Sequence, residues 1–383
     1  MTTQTDDRSA TITPGQLERA LALRDLADPA AGEHAIQHVV SALETALSGG
    51  TGLPVRRDYG SRIVSVADNY DRLRFDAEAV TRDRRYSRYV DAERMLRSHT
   101  SAQIPALLTR HALDRSGELV YSVPGMCYRR DVIDRHHVGE PHQIDLWRIR
   151  SAGTRLAEPD LVEMIGAVVA AVLPGRSWYT VPNPHPYTLA GREIYVRAPD
   201  GDVEIGECGL AHPEVLAGAG LPATASGLAM GLGLDRLTML AKGIDDIRLL
   251  RSTDPRVTAQ LTDLEPYRAV SAMPAVRRDL SLAVAADLDP ELLGDRVREL
   301  LGAGAAVVEE VSVHSETGYR DLPESSRIRM GLRLGQKNVL LRVVLRDLDR
   351  TLTAAEANLL RDRVYAGLHE GSAHEWSRPE RRD

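Results

Sequence analysis

Apolar residues recur at helical spacing in two early stretches, PGQLERALALRDLAD (residues 14–28) and EHAIQHVVSALETALS (residues 33–48). Positions three and four apart share one helix face, so each stretch predicts an amphipathic helix. DPAAG supplies the turn between them, and SGGTGLP ends the hairpin by about residue 51. Residues 1–13 are polar and predict a disordered tail. Over residues 52–260 strand-length and helical patterns alternate, with hairpin signals such as RAPDGDVEI around Asp200-Gly201. Residues 261–272, opening with LTDLEPYR, read as a linker. Over residues 273–375 the order is β-α-β-β-α-β, built on RRDLSLAV, PELLGDRVRELLG, VEEVSVHSE, NVLLRVVLRD and TAAEANLLRDRVYAGLHE. That order predicts a small ferredoxin-like α+β domain. Thr353 with Glu356 three residues later predicts a capping box at its last helix.

Composition narrows the class without naming it. With 383 residues, 43% hydrophobic and 27% charged, the chain has room for two or three globular domains. Aromatics are only 4%, with Phe75 the single phenylalanine, so the cores must rest on Leu, Val, Ile and Ala. A net charge of −7 removes any global field that would draw in nucleic acid, so a tRNA-sized partner needs a local basic surface. Cys127 and Cys208 form no metal-type or disulfide-type spacing and read as buried, reduced thiols of a cytoplasmic protein. No apolar run approaches 18 residues and no signal peptide is visible, so a membrane partner is not expected.

Four patches are polar where a plain core would not be. The first, RSHTSAQ, carries His99, Thr100 and Ser101; the second, CYRRDVIDRHHVGEPHQIDLW, carries Arg129, Asp131, His137, Gln143 and Asp145. The third, VEIGECGLAHPEVL, carries Glu204. The fourth, GLAMGLGLDRLTML, is a Gly-punctuated strand running into a helix with Arg236 near its start. Glycines let a strand approach a flat ligand closely, and an arginine beside such a surface stacks on rings or holds phosphate. On a strand, Arg129 and Asp131 project together, as do Gln143 and Asp145. One polar face then suits a ligand bearing both phosphate and ammonium; the same spacing also describes a solvated sheet face with a cross-strand ion pair. His136, His137 and His142 match no dedicated zinc pattern, and contact with a phosphate fits them better.

In this order the patches resemble the catalytic core of a class II aminoacyl-tRNA synthetase of the phenylalanyl type. YRRDVID…HQID resembles the family's second motif, GLGLDRL its third, and LRSHTSAQ its Leu-Arg-Thr-His-Thr-Ser segment. VADNYDRL resembles the single-chain, organelle-type members, and MPAVRRDLSLAV with DRTLTAAEANLLRDRV resembles their ferredoxin-fold anticodon-binding domain. The resemblance implies an antiparallel sheet flanked by helices, with ATP, Mg2+, an amino acid and tRNA as ligands. It implies Arg129 on the α-phosphate and Arg236 on adenine and the γ-phosphate as the catalytic pair. Asp131 and His137 would join the ATP side, and Glu204 would hold Mg2+. His99, Ser101, Gln143 and Asp145 would hold the amino acid's carboxylate and ammonium, with Ala229 leaving room for its side chain. The first step would be attack of the amino-acid carboxylate on the α-phosphate, driven by positioning and charge neutralisation. A monomer and a homodimer are equally compatible with the sequence.

The sequence departs from the family in the ligand pockets. The family's Phe-Pro-Phe-Thr strand is here His185-Pro186-Tyr187-Thr188. Leu189 follows in place of an acidic residue or histidine, and Pro141 replaces the aromatic before His-Gln. Asp145 stands for the family's glutamate. Polar groups entering an aromatic pocket need partners, so a substrate with its own donor or acceptor is a second reading beside phenylalanine. That reading is a synthetase paralogue activating a non-standard amino acid for a small-molecule pathway. A non-catalytic tRNA-binding module is a third, and it predicts loss of Arg129 or Arg236, both of which are present.

Overall fold

Both early helices form, and both are capped as their sequences dictate. The computed structural model describes residues 11–82, 87–129, 134–199, 201–270, 273–289 and 291–374. Thr13 and Gln16 close a capping box on α1 (Pro14–Ala22). That helix stops short of residue 28, and Asp28 instead caps the short turn at Pro29–Ala31. His34 caps α2 (Ala35–Thr51), and Gly52 ends it in the left-handed conformation.

The chain divides into two compact units. The first comprises residues 1–129, 140–245 and 258–267. After α2 come β1 (Val55–Arg57), β2 (Ile63–Ser65), α3 (Val66–Asn69), β3 (Arg94–Leu96), α4 (Ile104–Leu113), β4 (Glu118–Met126) and β5 (His142–Arg150). Then follow α5 (Glu158–Val172), β6 (Trp178–Pro182), β7 (Thr188–Ala198), β8 (Gly201–Ala211), α6 (Pro213–Gly218), β9 (Ser226–Gly233) and α7 (Leu234–Lys242). Seven strands form one sheet in the order β1-β4-β5-β9-β8-β7-β6. Every pair is antiparallel except β1–β4. β7 and β8 are the hairpin expected around Gly201. α2, buried along Ile36, Val39, Val40, Leu43 and Leu47, packs on α5 and α7. The stretch from residue 261 follows this unit as far as Tyr267: buried Lys242 donates to the carbonyls of Asp263 and Glu265.

The second unit comprises residues 130–139, 246–257 and 268–383. A four-residue helix, α8 (Pro255–Thr258), precedes β10 (Val276–Ala285), α9 (Glu291–Leu301), β11 (Val308–Gly318), α10 (Glu324–Met330), β12 (Gln336–Leu345) and α11 (Ala354–Leu368). The three strands form an antiparallel sheet in the order β10-β12-β11. Leu280, Leu282, Val339, Leu341 and Val343 pack there with Val297, Ala357, Val364 and Tyr365 of the helices. The Thr353–Glu356 capping box forms as expected. Two details differ from the expected β-α-β-β-α-β order. A short helix, α10, separates the second and third strands, and no closing strand occurs among the described residues. Instead, the chain after α11 meets the β10 edge at one point. Glu370 N–H donates to Ala283 O (2.8 Å), and His369 Nδ1 accepts from Ala283 N–H (3.1 Å).

Candidate active site

Three neighbouring strands of the large sheet lay out a row of small and acidic positions. Along β5, Gln143, Asp145 and Trp147 share a face, because side chains alternate along a strand. In register on β9 stand Gly233, Gly231 and Ala229; beyond Gly231 and Ala229 on β8 stand Glu207 and Gly209. The floor is therefore backbone, with Asp145 on one side of Gly231 and Glu207 on the other. A bulge at β8 makes this possible: Glu207 opposes Glu193 and Glu204 opposes Tyr195, with one residue too many between them. The extra residue turns Glu204 and Glu207 to the same face. Gly206 accommodates it at φ 156°, where an added Cβ would lie 2.1 Å from Gly231 O.

Around this floor the aromatic side chains cluster. Tyr187 stacks on Trp147 (6.1 Å between ring centres) and on His185 (5.8 Å), and tilts over Phe75 (6.0 Å). Phe75 in turn stacks on His99 (5.6 Å). Asp145 is buried and accepts from Thr100 Oγ1 (2.7 Å) and Trp147 Nε1 (3.0 Å). Burial pushes its carboxyl above the usual carboxylate range against these bonds and one from Ser101. Ser101 also reaches the Tyr187 hydroxyl, which burial holds well above its ordinary value. Burial drives the His99 imidazole down to about 3, helped by the charge of Arg129, so the ring is neutral near pH 7. Its Nδ1 is buried with no hydrogen-bond partner. The Cys127 thiol is likewise pushed up to about 12 by burial.

Arg129 donates from Nε to Ser98 O (2.7 Å) and from Nη2 to Gln143 Oε1 (3.2 Å). The guanidinium is thus fixed between Ser98 and Gln143 and acts on His99, its Nη1 edge unbonded among the described residues. Asp131 lies outside the described residues. The strand expected to carry both residues ends at Met126, and Arg129 stands in the loop beyond. The reason is Pro141: its carbonyl accepts from Cys127 N–H (2.8 Å), but it has no N–H to return. Tyr128 N–H then turns to Arg97 O (2.9 Å).

At the other end of the row, Arg236 leaves the first turn of α7 and donates to the Glu204 carbonyl (3.0 Å) and carboxylate. Asp235, one residue earlier, is buried and accepts from the His142 backbone N–H and from its Nδ1 (3.2 Å). His142 Nε2 accepts from Leu26 N–H (2.9 Å). With both ring nitrogens engaged inside the core, His142 fastens β5 to α7 and to the N-terminal segment; the expectation that it touches phosphate is corrected. His137 belongs to the second unit, where Nδ1 lies 2.7 Å from Asp134 Oδ2.

The comparisons with known proteins show the family. The description "tRNA synthetases class II core domain (F)" matches residues 23–261, more than half the chain. The chain belongs to the class II aminoacyl-tRNA synthetases, on the phenylalanyl branch. It is 26% identical over 364 residues to a Drosophila melanogaster protein named as a mitochondrial phenylalanine–tRNA ligase, covering 80% of this chain and 76% of that one. It is 28% identical to the chloroplastic/mitochondrial phenylalanine–tRNA ligase of Arabidopsis thaliana, covering 79% and 68%. The phenylalanine–tRNA ligase alpha subunit of Lactobacillus delbrueckii is 32% identical, covering 54% and 62%.

In this chain the large sheet and the loops beside it bring His99, Ser101, Arg129, Gln143, Asp145, His185, Tyr187 and Ala229 into one cluster. Arg236 and Glu204 form a pair on the same sheet. The family implies ATP and Mg2+ generally. Among the described residues no group of three His, Cys, Asp or Glu side chains is placed to enclose a metal ion. That donor set still fits Mg2+, which takes one or two protein carboxylates and completes its shell with phosphates and water. Sequence reasoning missed Glu207, Trp147 and Asn69. Asn69 donates to Ser98 Oγ (2.8 Å) and faces His99. Trp147 sits two residues from Asp145, a strand spacing that could have found it. Glu207 had no such signal, because three residues from Glu204 puts it on the opposite face unless a bulge intervenes.

Proposed function

We propose that this chain joins an amino acid to the α-phosphate of ATP, releasing pyrophosphate, and then passes the aminoacyl group to a tRNA in the cytoplasm. The observation that carries the reading is the fixed proximity of Arg129, Gln143 and Asp145. Asp145 accepts from the ammonium, and Gln143 and the neutral His99 position the carboxylate. Arg129 meets the charge that develops on the α-phosphate as the carboxylate attacks. Arg236 holds the nucleotide, exchanging its bond to Glu204 for adenine and phosphate contacts. Mg2+ would neutralise phosphate charge, and Glu204 would hold it. Asp131 and His137 are nucleotide contacts in this reading by family position alone. The domain at residues 273–375, which carries the β10-β12-β11 sheet of the second unit, is the tRNA anticodon module in this reading.

The test is amino-acid-dependent ATP–pyrophosphate exchange across the standard amino acids. Exchange is expected with at least one aromatic amino acid, and Arg129→Ala is expected to lower it by about 10²–10³. Normal exchange in that variant would remove Arg129 from the chemistry. The second reading, a substrate other than phenylalanine, is favoured by His185 and Glu207 in the pocket.

A further inference from the structure

The far end of the amino-acid pocket is more polar than a phenyl ring can use. The His185 side chain is only 8% exposed, and its Nε2 has no hydrogen-bond partner. That atom lies 3.1 Å from Glu207 Oε2 but out of line for a hydrogen bond. Its Nδ1 already faces Thr188 Oγ1 at 3.5 Å. Gly191 leaves the ring its place: a Cβ there would lie 2.8 Å from His185 Nδ1. Contact with His185 keeps the Glu207 carboxylate below its usual range although burial pushes it up. The Glu207 side chain is 42% exposed, and it also interacts electrostatically with Arg129, His99, Asp145 and Tyr187, so its carboxylate lies at the outer end of this cluster.

The register sets what spans this end. Asp145, Gly231 and Glu207 stand on three adjacent strands, so the two carboxylates' backbones are about 10 Å apart. An amino acid with its ammonium on Asp145 extends its side chain over Gly231 towards Glu207 and His185. Trp147, Tyr187 and Phe75 flank that path, so the side chain that fits is planar. A bare hydrocarbon ring would leave the buried His185 Nε2 without a hydrogen-bond partner and would cover the part-exposed Glu207 carboxylate without offering it a donor, which disfavours that ring. A ring carrying O–H or N–H at its far edge donates to Glu207.

We propose that Glu207 and His185 are the specificity-determining pair of this synthetase, and that its substrate is an amino acid whose aromatic ring bears a hydrogen-bond donor, of the phenol or aniline class. The inference rests on the amino-acid-activating reading above. The full-length chain is assayed for pyrophosphate exchange with phenylalanine, tyrosine and 4-aminophenylalanine, and for the rise in Tm each produces in the presence of ATP. A donor-bearing ring is expected to exceed phenylalanine by at least about tenfold in kcat/KM. Glu207→Ala and His185→Phe are each expected to shrink that ratio to about threefold or less, with the folded state checked by circular dichroism. If either variant fails to fold, the other carries the test, and Glu207→Gln substitutes for the alanine change.

Phenylalanine favoured by the unaltered chain, or a donor preference unmoved by the folded variants, overturns the proposal. A Tm preference for donor-bearing rings that the variants abolish, without exchange, upholds it while defeating the activation reading. Neither exchange nor a Tm rise with any of the three overturns both.

Discussion

At the scale of single residues, burial sets the behaviour of the candidate site's polar groups. His99 is the plainest case. It titrates near 6.5 when unfolded and is pushed down to about 3 in the fold, so the unfolded chain binds one more proton between those values. Its contribution to stability is intact above the unfolded value and falls by up to ~1.4 kcal/mol per pH unit as the solution is acidified towards the folded one. His99→Gln is expected to flatten that acid slope, measured as urea midpoints between about pH 7 and about pH 4. Equal slopes would mean that the folded imidazole takes up its proton like an exposed one. Asp145 bears on substrate directly. Asp145→Asn keeps the bonding shape but loses the charge, so it is expected to raise the KM for the amino acid by at least about tenfold, with little change in KM for ATP. A change confined to ATP would reassign the residue.

Elements decide which residues meet. The bulge in β8 turns Glu204 and Glu207 to one face, and it depends on Gly206 at φ 156°. Gly206→Ala drives a Cβ against Gly231 O and is expected to cost about 1–3 kcal/mol, together with most of the exchange activity. Thermal unfolding and exchange rates on the same sample read both effects; full activity at an unchanged Tm would show that the strand phase does not need this glycine. The β5–α7 junction is the second such element. His142→Ala removes the ring's bonds to the Asp235 carboxylate and to the Leu26 N–H in the core and is expected to cost about 2–4 kcal/mol. Its measurement is the urea midpoint, and a loss under about 0.5 kcal/mol would show that water replaces the ring.

For the whole molecule, a net charge of −7 leaves any tRNA contact to local arginines and lysines. With six phosphate contacts, affinity for tRNA is expected to fall on the order of 10³ between about 50 and about 200 mM salt. Filter binding across that range checks it, and a salt-independent affinity would exclude backbone recognition. Much at this scale is readable from the chain alone. Helical periodicity over residues 14–48, the alternation of strands, the Thr353–Glu356 cap and the motif segments around Arg129, Gln143 and Gly227–Leu240 all act between near neighbours. Local spacing therefore determined most of the elements and the α+β class, and the resemblance of the motif segments to a known family carried the family and most of the candidate site's residues. Tertiary structure alone decided the rest. It ended β4 before Arg129 because the proline across from it offers no N–H. It took His142 from the ligand side into the core, and it phased Glu207 into the pocket through a bulge that side-chain alternation cannot foresee. Those three outcomes depend on which strand lies opposite and where its ladder slips, and such long-range registry is not encoded in the spacing of residues along one segment.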